Sequence, residues 1–256
     1  SMRAEAEGGD HYTPQVQLER YALTFVGGGT PVPGSPQVAS VVRNHGDDTF
    51  DTLETLSFTF DRDVSVSASS LLLADRTAGG TPVDLTSVTF NYRRETFTAT
   101  WDFTGVAGIG AAFYTAVLDT SSVTDSQGNP LDGNADGAGG DDFSHVLLVA
   151  ARGDSDVDGD VDLSDLNTLF ANFKPLGTSA HGWCEGSFDN DGDVDLSDYN
   201  WLATQYAPLG YAGETPAGYV LPCSVGSTSP ATDASQLLSL VADDQAYNDE
   251  IQVSAE

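Results

Sequence analysis

Basic residues are what this sequence has least of. Its 256 residues carry 9 Lys and Arg against 39 Asp and Glu, a formal net charge of -30. Such a chain has nothing with which to neutralise phosphates, so nucleic acid is excluded as an expected partner, and so is an anionic membrane surface. Cysteine is nearly absent too. Cys184 and Cys223 stand alone and form no CxxC, which removes a thiolate zinc site. No run approaches the roughly 18 apolar residues that would suggest a membrane span; the richest, 145–151 and 237–242, are too short. Catalytic signatures are missing as well. His11, His45, His145 and His181 form no HExxH, no GxSxG is present, and the glycines at 27–29 lack a following Gly-Lys. Carboxylates occur everywhere, so paired acids carry no glycosidase signal. Catalysis has no positive support, and a non-enzyme is expected. No leader pattern opens the chain, so a mature or excised segment is expected.

What is present is Asp, and it clusters with Gly and Asn. Clustered Asp suggests oxygen-ligand sites for a hard cation, whereas a solvating acidic chain spreads Glu along helices. The excess charge repels itself in a compact state unless cations offset it. Apolar residues make up 39%, so modest cores are expected, and the length suits one or two domains.

Four regions emerge. Residues 1–36 hold one alternating run at 16–26, strand-like, then a Gly/Pro linker at 27–36. Residues 37–151 read as all-β. Leu56, Phe58 and Phe60 alternate with Ser57 and Thr59; Val88, Phe90 and Tyr92 form a second run; Phe97, Ala99, Trp101 and Phe103 a third. Runs at 38–42, 113–118 and 143–150 complete a sandwich of about seven strands. Residues 152–212 contain a repeat: DGDVDLSD at 158–165 recurs unchanged at 191–198. Asn167 matches Asn200, Leu169 matches Leu202, Phe173 matches Tyr206, and Pro-Leu-Gly at 175–177 returns at 208–210. A repeat of this kind is one supersecondary unit used twice. Residues 213–256 form a tail whose stretch 233–251 suits an amphipathic helix. The expected fold class is therefore mainly β with a small α part.

The repeat carries metal-ligand spacing. With Asp154 at position 1, Asp156, Asp158, Asp162 and Asp165 fall at positions 3, 5, 9 and 12, and Gly159 at position 6. That is the D-x-D-x-D-G calcium loop with a closing acid. Alternate residues in a tight turn converge on one ion; position 7, Asp160, contributes its backbone carbonyl. The second loop places Ser187, Asp189, Asp191, Asp193, Asp195 and Asp198 at positions 1, 3, 5, 7, 9 and 12. A hydroxyl at position 1 brings no charge, so weaker binding is expected there. One helix follows each loop, at 163–173 and 196–206, and none convincingly precedes the first. A third acidic cluster repeats the first part of the spacing with Asp132, Asn134 and Asp136, and Asp141 or Asp142 could close it; a solvated Asx-rich turn is the other reading. The even pair of cysteines fits a secreted disulfide, with two buried free thiols as the alternative. Trp101, Trp183 and Trp201 could line a sugar platform, but Trp101 is expected in the core and Trp201 between the two helices.

Two loop–helix units about 33 residues apart resemble type I dockerins, the calcium modules that dock onto cohesins. The segment WCEGSFDNDGDVDLSDYNWLATQYAPLG is similar to dockerin-like repeats at the ends of large planctomycete surface and secreted proteins. The GNPLDG turn resembles the last loop of bacterial Ig-like domains. The resemblance implies an Ig-like β-sandwich followed by paired half EF-hands, two Ca2+ in the repeat and a third at 132–141. It implies that positions 10 and 11, Leu163-Ser164 and Leu196-Ser197, help select the partner. Ser187 and Cys184 depart from the family pattern. The function expected is a secreted, calcium-binding structural protein of an extracellular or cell-surface assembly. Its partner is itself, as a homo-oligomer or filament, or a cohesin-like protein, without membrane insertion. The alternatives are a cohesin-docking module of a larger secreted hydrolase and a carbohydrate- or protein-binding adhesion module.

Overall fold

A computed structural model describes residues 34–77, 79–175 and 180–223. The strand expected at 16–26 and the helix expected at 233–251 lie outside the described residues. The alternating runs form strands because each sends one set of side chains to a core and the other to solvent. In chain order the strands are β1 (Val38–Arg43), β2 (Thr55–Phe60), β3 (Val64–Ser65), β4 (Leu71–Asp75), β5 (Thr81–Pro82), β6 (Thr89–Arg93), β7 (Thr98–Asp102), β8 (Ala112–Leu118), β9 (Thr124–Asp125) and β10 (Phe143–Val149). All pairings are antiparallel. One sheet runs β1-β2-β7-β6, a second β10-β8-β4-β5, and β3 pairs with β9.

The two larger sheets share one core. Leu56, Phe58, Ala99 and Trp101 enter it from the first sheet, and Leu71, Leu73, Tyr114, Ala116, Leu118 and Leu147 from the second. The Phe58 ring meets Trp101 edge-on at 5.5 Å and Phe143 of the opposite sheet at 6.0 Å. Trp101 is fully buried, as expected, and its Nε1 donates to the Ala68 carbonyl at 2.9 Å, so burial leaves no unpaired donor. On the outer face Ser57 and Thr59 pair across the sheet with Thr100 and Thr98. Strand β4 has no clear period-2 signal. Its run LLLAD buries Leu71 and Leu73 and leaves Leu72 57% exposed, so three consecutive leucines conceal an alternation.

Strand β10 feeds directly into the repeat, five residues before Asp154. Two ten-residue helices follow the acidic loops, α1 (Leu163–Asn172) and α2 (Leu196–Gln205). Each is capped by the position-9 aspartate, Asp162 or Asp195, whose carboxylate accepts the N–H of Ser164 or Ser197 at 2.6 Å. The two units interlock reciprocally. Gly153, just before the first loop, lies against Leu202 of α2, where an added Cβ would stand 2.8 Å from that residue's Cα. Gly186, just before the second loop, lies against Leu169 of α1 with a corresponding distance of 3.1 Å. Both glycines also have left-handed φ values, 116° and 100°, so the sequence spends glycine where the helices come closest.

The repeat and the sheets belong to one compact unit that ends at Val220; of the second, Leu221–Glu256, only 221–223 is described. The Ala150 N–H donates to the Phe50 carbonyl at 2.7 Å, and Phe50 meets Trp183 edge-on at 6.0 Å. Arg152 pairs with Asp51 at 2.7 Å and stacks its guanidinium over Trp201 at 4.5 Å. Trp201 therefore does not fill the space between the helices, as had been expected. It is 39% exposed under Arg152, and Leu169 and Leu202 supply the buried contacts instead. Neither cysteine is free: Cys184 and Cys223 are disulfide-bonded. Among the described residues no helix is long and apolar enough to cross a membrane.

Trp101→Ala removes the largest fully buried side chain and leaves a void between the sheets. It is expected to cost about 3–5 kcal/mol in urea unfolding, with the midpoint falling and the slope unchanged.

Candidate metal centre

The first loop is shaped from its position-1 side chain outward. Asp154 is fully buried, and its two carboxylate oxygens accept the Asp158 N–H at 3.1 Å and the Gly159 N–H at 3.0 Å. Those bonds turn the chain back between positions 1 and 6; Asp158, at position 5, is in neither of the acidic groups that gather here. Val157, at position 4, takes a left-handed φ of 59°, which is unfavourable for a β-branched side chain and persists because the surrounding bonds hold it. At the other end Asp165 accepts the Ser155 and Asp162 N–H groups, at 2.7 and 2.8 Å, and closes the ring. Carboxylate oxygens of Asp154, Asp156 and Asp165 lie within 4.8 Å of one another, as do those of Asp160, Asp162 and Asp165.

The second loop repeats the closing bonds at the 33-residue offset but not the bond from position 5 to position 1, since the Asp191 N–H donates to Asp189 at 3.4 Å. Phe188 N–H and Asp195 N–H donate to Asp198 at 2.6 and 2.9 Å, and Gly192 N–H donates to the Ser187 hydroxyl at 3.4 Å. Asn190 matches Val157 with φ of 62°. Oxygens of Asp193, Asp195 and Asp198 gather within 4.8 Å. At position 7 the Asp160 and Asp193 carboxylates join the acidic groups, where only a backbone carbonyl had been expected of Asp160.

The third cluster adopts the same opening turn. Asp132 is 1% exposed, and its oxygens accept Asp136 N–H at 3.2 Å and Gly137 N–H at 3.0 Å, with Ala135 left-handed at φ 58°. Asn134 Oδ1 accepts the same Asp136 N–H at 2.9 Å. Asp141 returns beside Asp132 by a parallel bridge and completes a group with Asp132 and Asp136. Asp142 is engaged elsewhere, accepting the Thr120 N–H at 2.9 Å. Gln37 donates its amide to Asp132 at 2.7 Å.

Whether these residues fit a cation is tested by their unmet oxygens. Asp156 Oδ1 in the first loop and Asp193 Oδ1 in the second are buried and have no hydrogen-bond partner. A buried acceptor without a donor is costly unless something positive meets it. The all-oxygen donor set of hard carboxylates suits a hard cation rather than a soft metal. Protonation behaviour agrees. Burial pushes the Asp154 carboxyl up to about 8; the Tyr211 hydroxyl opposes the shift and the Asp165 charge adds to it. Burial, and then the neighbouring Asp158, push Asp156 and Asp160 up to about 7. Asp165, Asp189 and Asp193 are also raised, each mainly by burial.

Several residues at the first loop carry no metal-ligand signal in the sequence. The Tyr211 hydroxyl donates to Asp154 at 2.6 Å, Trp183 Nε1 donates to the Asp154 carbonyl at 2.6 Å, and the Tyr219 hydroxyl donates to the Val157 carbonyl at 2.8 Å. Leu163 and Leu196 are 59% and 64% exposed, beside Ser164 and Ser197 at the start of each helix. In comparisons with known proteins no family model matches the chain, no curated protein matches it, and no solved structure matches it.

The raised carboxyls set a pH dependence. An unfolded Asp titrates near 3.9, so between about pH 4 and pH 7–8 the folded, cation-free first loop binds more protons than the unfolded chain. Stability then falls as pH rises through that window. Buried His145, lowered to about 4, acts oppositely but only below about 6.5. In chelator the melting temperature is expected to fall between pH 6.5 and 8.5; with Ca2+ this loss disappears, because the ion takes the deprotonated form. A chelated protein that gains stability across this range contradicts the assignment.

Proposed function

We propose that the protein is a secreted, non-enzymatic, calcium-binding structural protein that mediates protein–protein assembly in an extracellular or cell-surface structure. The observation that carries this is the duplicated twelve-residue loop, in whose two copies the closing acid, Asp165 or Asp198, accepts the same two backbone N–H groups. In the first loop Asp154, Asp156, Asp158, Asp162 and Asp165 would hold Ca2+, with Asp160. In the second, Ser187, Asp189, Asp191, Asp193, Asp195 and Asp198 would hold a second ion. A third would sit at Asp132, Asn134, Asp136 and Asp141. The ion supplies charge neutralisation and a crosslink between loop ends.

Two features support an Ig-like sandwich before a dockerin-like repeat. The sheet orders β1-β2-β7-β6 and β10-β8-β4 follow the ABED and GFC arrangement. Tyr114, near the start of β8, exchanges hydrogen bonds through its hydroxyl with the Gly110 backbone at 3.0 and 3.1 Å, as a tyrosine corner does. For the repeat, the reciprocal packing of Gly153 on Leu202 and Gly186 on Leu169 supports a pseudo-twofold unit. The exposed Leu163-Ser164 and Leu196-Ser197 pairs favour docking through the helix face. Apart from Asp165 and Asp198, buried at the loop ends, neither helix carries a charged residue. On a chain with net charge -30 an uncharged face is where two acidic surfaces can meet with least repulsion.

Two measurements test this reading. At a hundredfold excess of Ca2+ over Kd, each occupied site adds about 2.7 kcal/mol, which corresponds to roughly 5–10 °C in Tm for a unit of this size. Asp158→Ala should lose more of that gain than Ser187→Ala. A melting curve that chelator leaves unmoved contradicts the metal assignment. For assembly, the intact chain is expected to oligomerise at fixed calcium while a variant without residues 1–26 remains a calcium-binding monomer. If both elute as monomers across a wide concentration range, docking onto a different protein becomes the better reading.

A further inference from the structure

The two loops close through the same bonds to Asp165 and Asp198, yet they are fastened differently from outside. Tyr211 donates its hydroxyl to Asp154 Oδ2 at 2.6 Å, and the same hydroxyl accepts the Ala151 N–H at 2.9 Å, two residues beyond the end of β10. The Tyr211 N–H donates to the Gly159 carbonyl at 3.0 Å. Tyr219 bonds the Val157 carbonyl and sets its ring edge-on against Phe113 of β8 at 5.0 Å. Gly159 itself stands so near Phe113 that an added Cβ would lie 3.0 Å from the ring. The first loop is therefore held between the second sheet and the 211–219 segment. In the second loop position 1 is Ser187, and among the described residues its hydroxyl takes only the Gly192 N–H.

We propose that Tyr211 is a positioning residue for the cation of the first loop, and that through Ala151 it couples occupancy of that loop to its seating on the second sheet. The inference rests on the calcium reading above. Asp154 must present an unprotonated oxygen at a fixed angle. A donor held on its far side by Ala151 sets that orientation, as partners behind a metal ligand do elsewhere. The bond also works in reverse: a carboxylate that swings away when the ion leaves pulls on Tyr211, on Ala151 and on the end of β10. Among the described residues the second loop has no comparable link, so its occupancy is felt locally.

Tyr211→Phe keeps the ring and removes only the hydroxyl. Calorimetric Ca2+ titration of the full chain is compared with Asp158→Ala and Asp191→Ala, which assign the two steps. Tyr211→Phe is expected to weaken the first-loop step by about tenfold or more and to leave the second within about twofold. Tyr219→Phe cuts a bond to the same loop without touching a ligand carboxylate, and is expected to leave both steps within about twofold. In amide exchange, chelation of the natural chain should speed exchange at 112–118, and Tyr211→Phe should show that faster exchange even with calcium. An unchanged first-loop step in Tyr211→Phe overturns the proposal, as does an equal loss in Tyr219→Phe, which marks a merely structural strap. A natural chain that takes up no Ca2+ overturns the calcium reading itself and this inference with it.

Discussion

Carboxylate crowding is the interaction on which the rest depends. The chain brings acidic side chains into buried, mutually close positions and offers almost nothing of its own to offset them. Among the described residues the ion pairs join Arg62 to Asp61, Arg94 to Asp63 and Arg152 to Asp51, and none reaches a loop acid. Asp154 and Asp165 are meanwhile essentially inaccessible. Burial of unpaired ionised groups is costly, so each either takes a proton or meets a cation. The carboxyls pushed up to between about 7 and 8 express the first outcome; the partnerless oxygens of Asp156 and Asp193 fit the second.

The fold explains why this tension is concentrated at one place. Strand β10 ends within a few residues of the first loop, so the loop has no linker in which to relax. Arg152, the basic residue nearest that junction, is committed to Asp51 and Trp201 and holds the repeat to the sheets rather than neutralising the loop. The second loop is farther from the sheets along the chain and has lost one acid to Ser187. Its Asp189 and Asp193 carboxyls are raised as well, mainly by burial. Two identical octapeptides thus sit in different electrostatic surroundings because of what packs outside them.

Much of this was readable in advance where a short-range rule governs. Period-2 alternation located β2, β6 and β7 because each turns one face further from solvent than the other. The D-x-D-x-D-G spacing located the loops because ligand order is a local property. The helices end at Asn172 and Gln205, one residue short of the expected 173 and 206, since Phe173 and Tyr206 leave the helical region as caps. What escaped was set by long-range contact. Strand β4 hid inside a leucine run, and its pairing with β8 depends on residues 39 to 47 positions away. Trp201 was misplaced because its partner, Arg152, is remote in sequence. Tyr211 was missed for the same reason: 57 residues separate it from Asp154, and nothing in Gly-Tyr-Ala suggests a metal loop.

The claim that most needs testing is that the loops hold calcium at all. Native mass spectrometry of the full chain, exchanged into calcium at moderate salt with magnesium as competitor, measures this directly. The account predicts at least two bound Ca2+ per chain, with Asp154→Ala or Asp158→Ala each losing one. A chain that carries no calcium above the nonspecific level set by an equally acidic control protein would contradict it.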